Sequence, residues 1–323
     1  MRYIGLHIPN FSFADTPARE LFPTVRAIAQ TAEESGFTAV SVMDHFHQIA
    51  PQGDQTEPML ESYTTLGALA ASTSRVRLLT LVAGITYHNP AHLAKEVTTL
   101  DVISQGRAIL GVGAGWFEEE HRAYGFEYPA LGRRLDRLED ALPILRSMFD
   151  NPSTTHHGKI YEVEGALNIP RPIQERIPIL VGGGGERRTL RLVARYGDLC
   201  NVLGDPSTLG HKLEVLRGHC EAEGRDISTI TTTTHAGIVV IDSDEEGVER
   251  RLRALHAASP PALRGLTLDE LRERTISGTP DRVTERLRQL IGLGYDGFTF
   301  SVFGANDVRL VRLAGEAAGR AFE

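Results

Sequence analysis

Lysine is nearly missing from this 323-residue chain: Lys95, Lys159 and Lys212 stand against 31 arginines. Lys95 and Lys212 fall in predicted helices and Lys159 in a predicted hairpin, so none projects from a strand end. That placement excludes Schiff-base chemistry, which needs a lysine at the strand ends. Cysteine is equally scarce. Cys200 and Cys220 cannot build a disulfide framework or a four-thiolate zinc site, and they read as idle buried thiols. No apolar run approaches the ~20 residues that span a bilayer, and MRYIGLHIPN lacks a basic stretch followed by a long apolar core. A soluble, cytoplasmic protein is expected. A basic surplus is absent too, the formal charge being −8, which disfavours nucleic acid as a partner. There is no G-x-S-x-G elbow.

What is present alternates strand and helix. Eight β-branched, apolar runs read as parallel strands buried under helices: Tyr3–Ile8, 38–43, 76–82, 108–112, 177–181, 198–203, 230–241 and Gly297–Val302. Between them lie amphipathic stretches. Leu21, Val25, Ile28, Ala29 and Ala32 share one helical face that stops at Ser35-Gly36, and Leu135, Leu138, Leu142, Leu145 and Met148 form another. Thr279-Pro280-Asp281 reads as a helix cap with proline in the first turn. Eight such units predict a single (β/α)8 TIM-barrel domain over residues 1–323, an α/β fold, with insertions at about 154–170 and 259–277. An open doubly wound sheet is the alternative.

Sites in such barrels gather at the C-terminal strand ends. Gly182, Gly183, Gly184 and Gly185 precede a helix, where backbone amides and a helix N-terminus suit an anion and Arg187 and Arg188 add cations. A tight turn requiring positive φ is the other reading. Gly111–Gly115 either admits a planar ligand close to the backbone or merely turns. His45-x-His47 resembles a metal pair, but the later strand ends supply no further ligand set, so no metal is expected. Asp44-His45 remains as a titratable pair suited to acid–base work near neutral pH, or else a loop cap and a polar filler. Trp116, Tyr87 and Phe46 offer an apolar wall, or ordinary packing.

Several stretches taken together resemble the luciferase-like monooxygenase superfamily: Ser41-Val42-Met43-Asp44-His45-Phe46, Thr86-Tyr87-His88-Asn89-Pro90-Ala91, 100–107 (LDVISQGR), Gly111–Trp116 with Glu118–Glu120, and Gly278-Thr279-Pro280-Asp281. The resemblance spans nearly the whole chain and implies a TIM barrel that binds coenzyme F420 or FMN. In the F420-dependent members, an Asp-His pair after the second strand meets the cofactor, here Asp44 and His45. A strand-three bulge with a non-prolyl cis peptide backs the ring, here near Thr80-Leu81, with Ala83 among the contacts. The loop Gly113-Ala114-Gly115 lies along the cofactor, and Gly182–Gly185 with Glu186 takes its phosphate. Substrate then sits against Trp116, Tyr87 and His88. Bacterial luciferases place an arginine for the FMN phosphate where Ala114 stands, which favours F420. Sugar-phosphate dehydrogenases of the family place a glutamate where Trp116 stands, which disfavours that substrate.

The resemblance therefore implies an F420-dependent oxidoreductase acting on a small, fairly apolar molecule, and a homodimer. An FMN-dependent two-component monooxygenase and a non-catalytic cofactor binder are the alternatives.

Overall fold

The computed structural model describes residues 2–13, 16–50, 52–258, 260 and 263–323. All eight expected strands form: β1 (Tyr3–Ile8), β2 (Ala39–Val42), β3 (Arg77–Thr80), β4 (Leu110–Gly113), β5 (Ile179–Gly182), β6 (Leu199–Val202), β7 (Thr231–Ile241) and β8 (Gly297–Val302). The chain divides into two compact units.

The first unit holds residues up to Glu61 and from Thr233 onward. Its strands run parallel in the order β2-β1-β8-β7, with Ile276–Gly278 added beside β7. The helix Ala18–Glu34 buries the face the periodicity picked out, Leu21, Val25, Ile28, Ala29 and Ala32. Full burial of each larger side chain is worth roughly 1.5–3 kcal/mol against exposure. Gly36 ends that helix region at a φ of 94°, which a side chain resists. On β8 the rings of Phe298 and Phe300 pack outward on Phe322 and Phe37. The intervening Thr299 and Ser301 take the opposite face. Pro280 opens the helix Pro280–Gly292 as expected, yet the Thr279 side chain makes no capping bond. Within the expected insertion at 259–277, the helix Leu268–Arg274 starts with a capping box between Thr267 and Glu270. Residues 259, 261 and 262 lie outside the described residues.

The second unit, Ser62–Thr232, carries β6-β5-β4 in parallel, with Ala83–Gly84 paired to β4 and Leu78 of β3 bridged to Ala108. The first insertion is an antiparallel hairpin, Ser153–His157 with Glu162–Leu167. Asp140, on the helix Leu131–Asp150, accepts from the amides of Ile160 and Tyr161 and pairs with His156, tying the hairpin down.

The LDVISQGR stretch turns out to be architectural. The buried Asp101 carboxylate accepts from the amides of Ile173 and Gln174 and from the Gln174 side chain. Arg107 donates to the carbonyls of Ser104, Ala70, Thr73 and Val76 and to the Thr73 hydroxyl, five acceptors for one planar cation. Among the described residues no helix is long and apolar enough to cross a membrane.

Candidate functional site

In the first unit, β2 delivers Asp44 and His45 to its C-terminal end. Asp44 is buried and His45 half-buried. His47, two residues on, rests against the Gln55 side chain. Two further histidines stand close by. His7 on β1 and His235 on β7 meet edge to face with centroids 5.5 Å apart. His7 Nδ1 pairs with Ser41 Oγ at 2.9 Å, and His235 Nδ1 with Thr299 Oγ1 at 2.9 Å. Burial pushes His7 down to about 3, with the charges of His235 and His45 adding to it. Burial likewise pushes His235 down to about 4. Both rings are neutral near neutral pH.

The sequence signal for this pair was legible in principle: a histidine inside the apolar run YIGLHI, and another after four threonines.

The second unit explains its glycines one by one. A non-prolyl cis peptide joins Leu81 to Val82, one residue beyond the expected Thr80-Leu81. Strands β4 and β5 clear room for this stretch. A Cβ on Gly111 would stand 2.0 Å from the Thr80 carbonyl oxygen, and one on Gly113 or Gly182 within 2.9 Å of a Val82 methyl. Gly115, at a φ of 73°, gives way to Thr86 Oγ1, which a Cβ would meet at 2.3 Å. Close packing and a tight turn give each of these glycines a structural reason.

The loop after β5 is different. Gly183 takes a φ of 118° and its amide donates to the Asn201 carbonyl. The amides of Gly184, Gly185 and Glu186 donate to nothing among the described residues. Consecutive unspent amides before the helix Thr189–Tyr196 are donors of the kind that suits an anion. The expected cations shift. Arg188 is committed to Asp136 and Glu139 on the neighbouring helix. Lys212, from the helix Pro206–Ala222, brings its Cε to 3.6 Å from where a Gly184 Cβ would lie and pairs with Glu186 at 2.5 Å. That bond holds the Glu186 carboxyl below its usual range. Spacing alone could not place Lys212 here, because its helix starts twenty residues later in the chain.

The loop carrying Ala114 and Trp116 is clasped. Arg134 donates to the Gly115 carbonyl at 3.2 Å, the Tyr128 hydroxyl to the Trp116 carbonyl at 2.8 Å, and His121 Nδ1 lies 2.6 Å from the Phe117 carbonyl. The Trp116 ring stays 53% exposed, stacked on Phe117. Tyr87 is not a bare apolar wall: its hydroxyl donates to buried Glu120 at 2.6 Å and stands 3.0 Å from His121 Nδ1. His121 Nε2 in turn reaches Thr86 Oγ1 at 2.7 Å, closing a buried network that sequence reading missed. His88 faces Glu96 at 3.7 Å. Asn89 caps the helix Pro90–Ser104 by accepting from the Ala91 and His92 amides.

The residues therefore suit a cofactor with an anionic tail. The loop after β5 offers free amides and a lysine, and Leu81 and Val82 remain partly exposed.

A family model described as luciferase-like monooxygenase matches residues 3–297. The chain is 29% identical over 310 residues to an F420-dependent glucose-6-phosphate dehydrogenase of Nakamurella multipartita, covering 90% of this chain and 89% of that one. It is 25% identical over 300 residues to an FMNH(2)-dependent dimethylsulfone monooxygenase of Pseudomonas putida, covering 84% and 80%. Among solved structures, an F420-dependent secondary alcohol dehydrogenase in complex with an F420-acetone adduct superposes with a TM-score of 0.82 at 20% identity, over 99% of both chains. The fold class is the (β/α)8 TIM barrel with insertions, and the chain belongs to the luciferase-like monooxygenase family.

Proposed function

We propose that this luciferase-like chain is an F420-dependent oxidoreductase that moves a hydride between the deazaflavin and a small, fairly apolar organic substrate. The observation that carries the reading is the Asp44-His45 pair: a buried carboxylate followed by a half-buried histidine at a strand end, the signature the F420-dependent members share. Ala114, in place of an FMN-phosphate arginine, supports the same choice.

When bound, F420 supplies a hydride acceptor or donor at C5 and does not use oxygen productively. The chain's residues do the rest. His45 gives or takes the proton that accompanies the hydride, and Asp44 holds the loop and the cofactor in place. Thr80, Leu81, Val82 and Ala83, with Gly113, Ala114 and Gly115, would hold the cofactor's ring system, and the amides from Gly184 to Glu186, with Lys212, would receive its anionic tail. Trp116, with Tyr87 and His88, borders the substrate and excludes water.

Similarity to the dimethylsulfone enzyme supports a second reading, a monooxygenase fed with reduced FMN. The two differ in their need for oxygen. With oxidised F420 and a panel of neutral alcohols under strict anaerobiosis, the deazaflavin absorbance is expected to bleach with matching carbonyl product. Product that forms only with reduced FMN and oxygen would replace the first reading by the second.

A further inference from the structure

Trp116 is the chain's one tryptophan, and it stands 53% exposed on the loop between β4 and the helix Glu118–Tyr124. A packed indole removes roughly 150–250 Å² from water, so a loop free to move would fold this ring down. The loop is held instead. Three successive carbonyls, of Gly115, Trp116 and Phe117, each accept from a side chain, those of Arg134, Tyr128 and His121. Carbonyls of an exposed loop ordinarily face water. The three donors also pack on one another. Arg134 Cζ lies 4.2 Å over the Tyr128 ring, and Tyr128 meets His121 edge to face at 4.9 Å. His121 continues the column onto Tyr87 at 4.2 Å, and both His121 and Arg134 are buried. A second Arg134 bond, to the Pro129 carbonyl at 2.7 Å, fixes the guanidinium.

We propose that His121, Tyr128 and Arg134 are positioning residues for Trp116, holding the indole as a pre-set wall of the substrate site. The inference rests on the oxidoreductase reading above, which borders the substrate with Trp116, and names what fixes that border. The hydrogen bonds give His121 a defined part. A carbonyl only accepts, so Nδ1 carries the proton that reaches the Phe117 oxygen at 2.6 Å. The Tyr87 hydroxyl spends its own proton on Glu120 and turns a lone pair toward the same Nδ1 at 3.0 Å. Thr86 Oγ1, 2.7 Å from Nε2, steadies the far side of the ring. Buried Glu120 thus sets, through Tyr87, the imidazole orientation that grips the loop. A wall fixed before binding needs no ordering when substrate arrives, and it selects by shape.

The test reads the single tryptophan. Acrylamide quenching of the cofactor-free chain is measured for the parent and two variants. His121→Phe keeps a ring against Tyr87 but donates nothing, and Tyr128→Phe loses only the hydroxyl. In both, the quenching constant is expected to rise by up to about twofold, as an indole 53% exposed becomes fully exposed. His121→Asn, whose amide nitrogen takes the Nδ1 position, restores the parent value. Should His121→Phe fail to fold, Tyr128→Phe decides alone, since its ring still packs under Arg134. Kinetics then use F420 and whichever neutral alcohol of the panel above the parent chain oxidises fastest. Both variants are expected to raise KM about tenfold and to keep kcat within about threefold. Parent-like quenching, quenching that rises with KM unchanged, or a loss confined to kcat overturns the inference. Oxidation of no alcohol with F420 would instead strike the oxidoreductase reading and leave quenching to decide whether the column holds the loop.

Discussion

His45→Ala is expected to lower turnover by about 10²–10⁴-fold, the range that one positioned acid–base group commonly supplies. F420 affinity is expected to change by no more than about threefold, because a group acting on the transferred proton affects turnover ahead of ground-state binding. The half-buried ring follows a buried carboxylate, Asp44, at the strand end, and its charge is felt at His7. Steady-state kinetics paired with fluorescence titration separates the two effects. Unchanged turnover with collapsed affinity would make His45 a cofactor contact and remove it from proton transfer.

The second large effect is on stability. Gly111→Ala puts a methyl group 2.0 Å from the Thr80 carbonyl oxygen and 3.3 Å from a Val82 methyl. The obstacle is backbone in the middle of a parallel sheet, so it cannot swing aside as a flexible side chain would. Overpacking of this kind costs about 3 kcal/mol or more. Gly210→Ala supplies the contrast, because nothing lies within 4 Å of its Cβ in the helix Pro206–Ala222. There the substitution is expected to stabilise by about 0.5–1 kcal/mol. Urea unfolding of the two variants beside the parent chain reads both signs. A Gly111→Ala protein as stable as the parent would mean that Thr80–Val82 does not press on β4.

These glycines show where sequence reading reached and where it stopped. The strands were legible because each is a short β-branched run between helices of 3.6-residue period; four of the eight needed only trimming at their ends, and the expected 108–112 and 177–181 shift to Leu110–Gly113 and Ile179–Gly182. The remaining two, Tyr3–Ile8 and Gly297–Val302, match in full. Asp44-His45 and the four-glycine run were legible for a similar reason, since short polar or glycine-rich strand ends interrupt an apolar pattern. Contacts across sequence distance were not. Lys212 reaches Gly184 from a separate helix, and His121 ties Thr86 to the Trp116 loop across 35 residues. His7 escaped notice because parallel strands were read as apolar on both faces. Facing residues of β1, β2, β7 and β8 instead build a polar strip of His7, Ser41, His235 and Thr299. The motif residues also divided unexpectedly. Asp101, Arg107 and Asn89 brace loops and helix ends, whereas the amides from Gly184 to Glu186 donate to nothing among the described residues.

F420 as the resident cofactor is the central claim, and equilibrium titration of the cofactor-free protein tests it most directly. Deazaflavin fluorescence and flavin absorbance are followed separately as F420 and FMN are added. Saturable F420 binding at least about tenfold tighter than FMN binding, weakened by Lys212→Met, is the predicted result. Tight FMN binding with little or none for F420 would contradict it and place the chain among the oxygen-using members of its family.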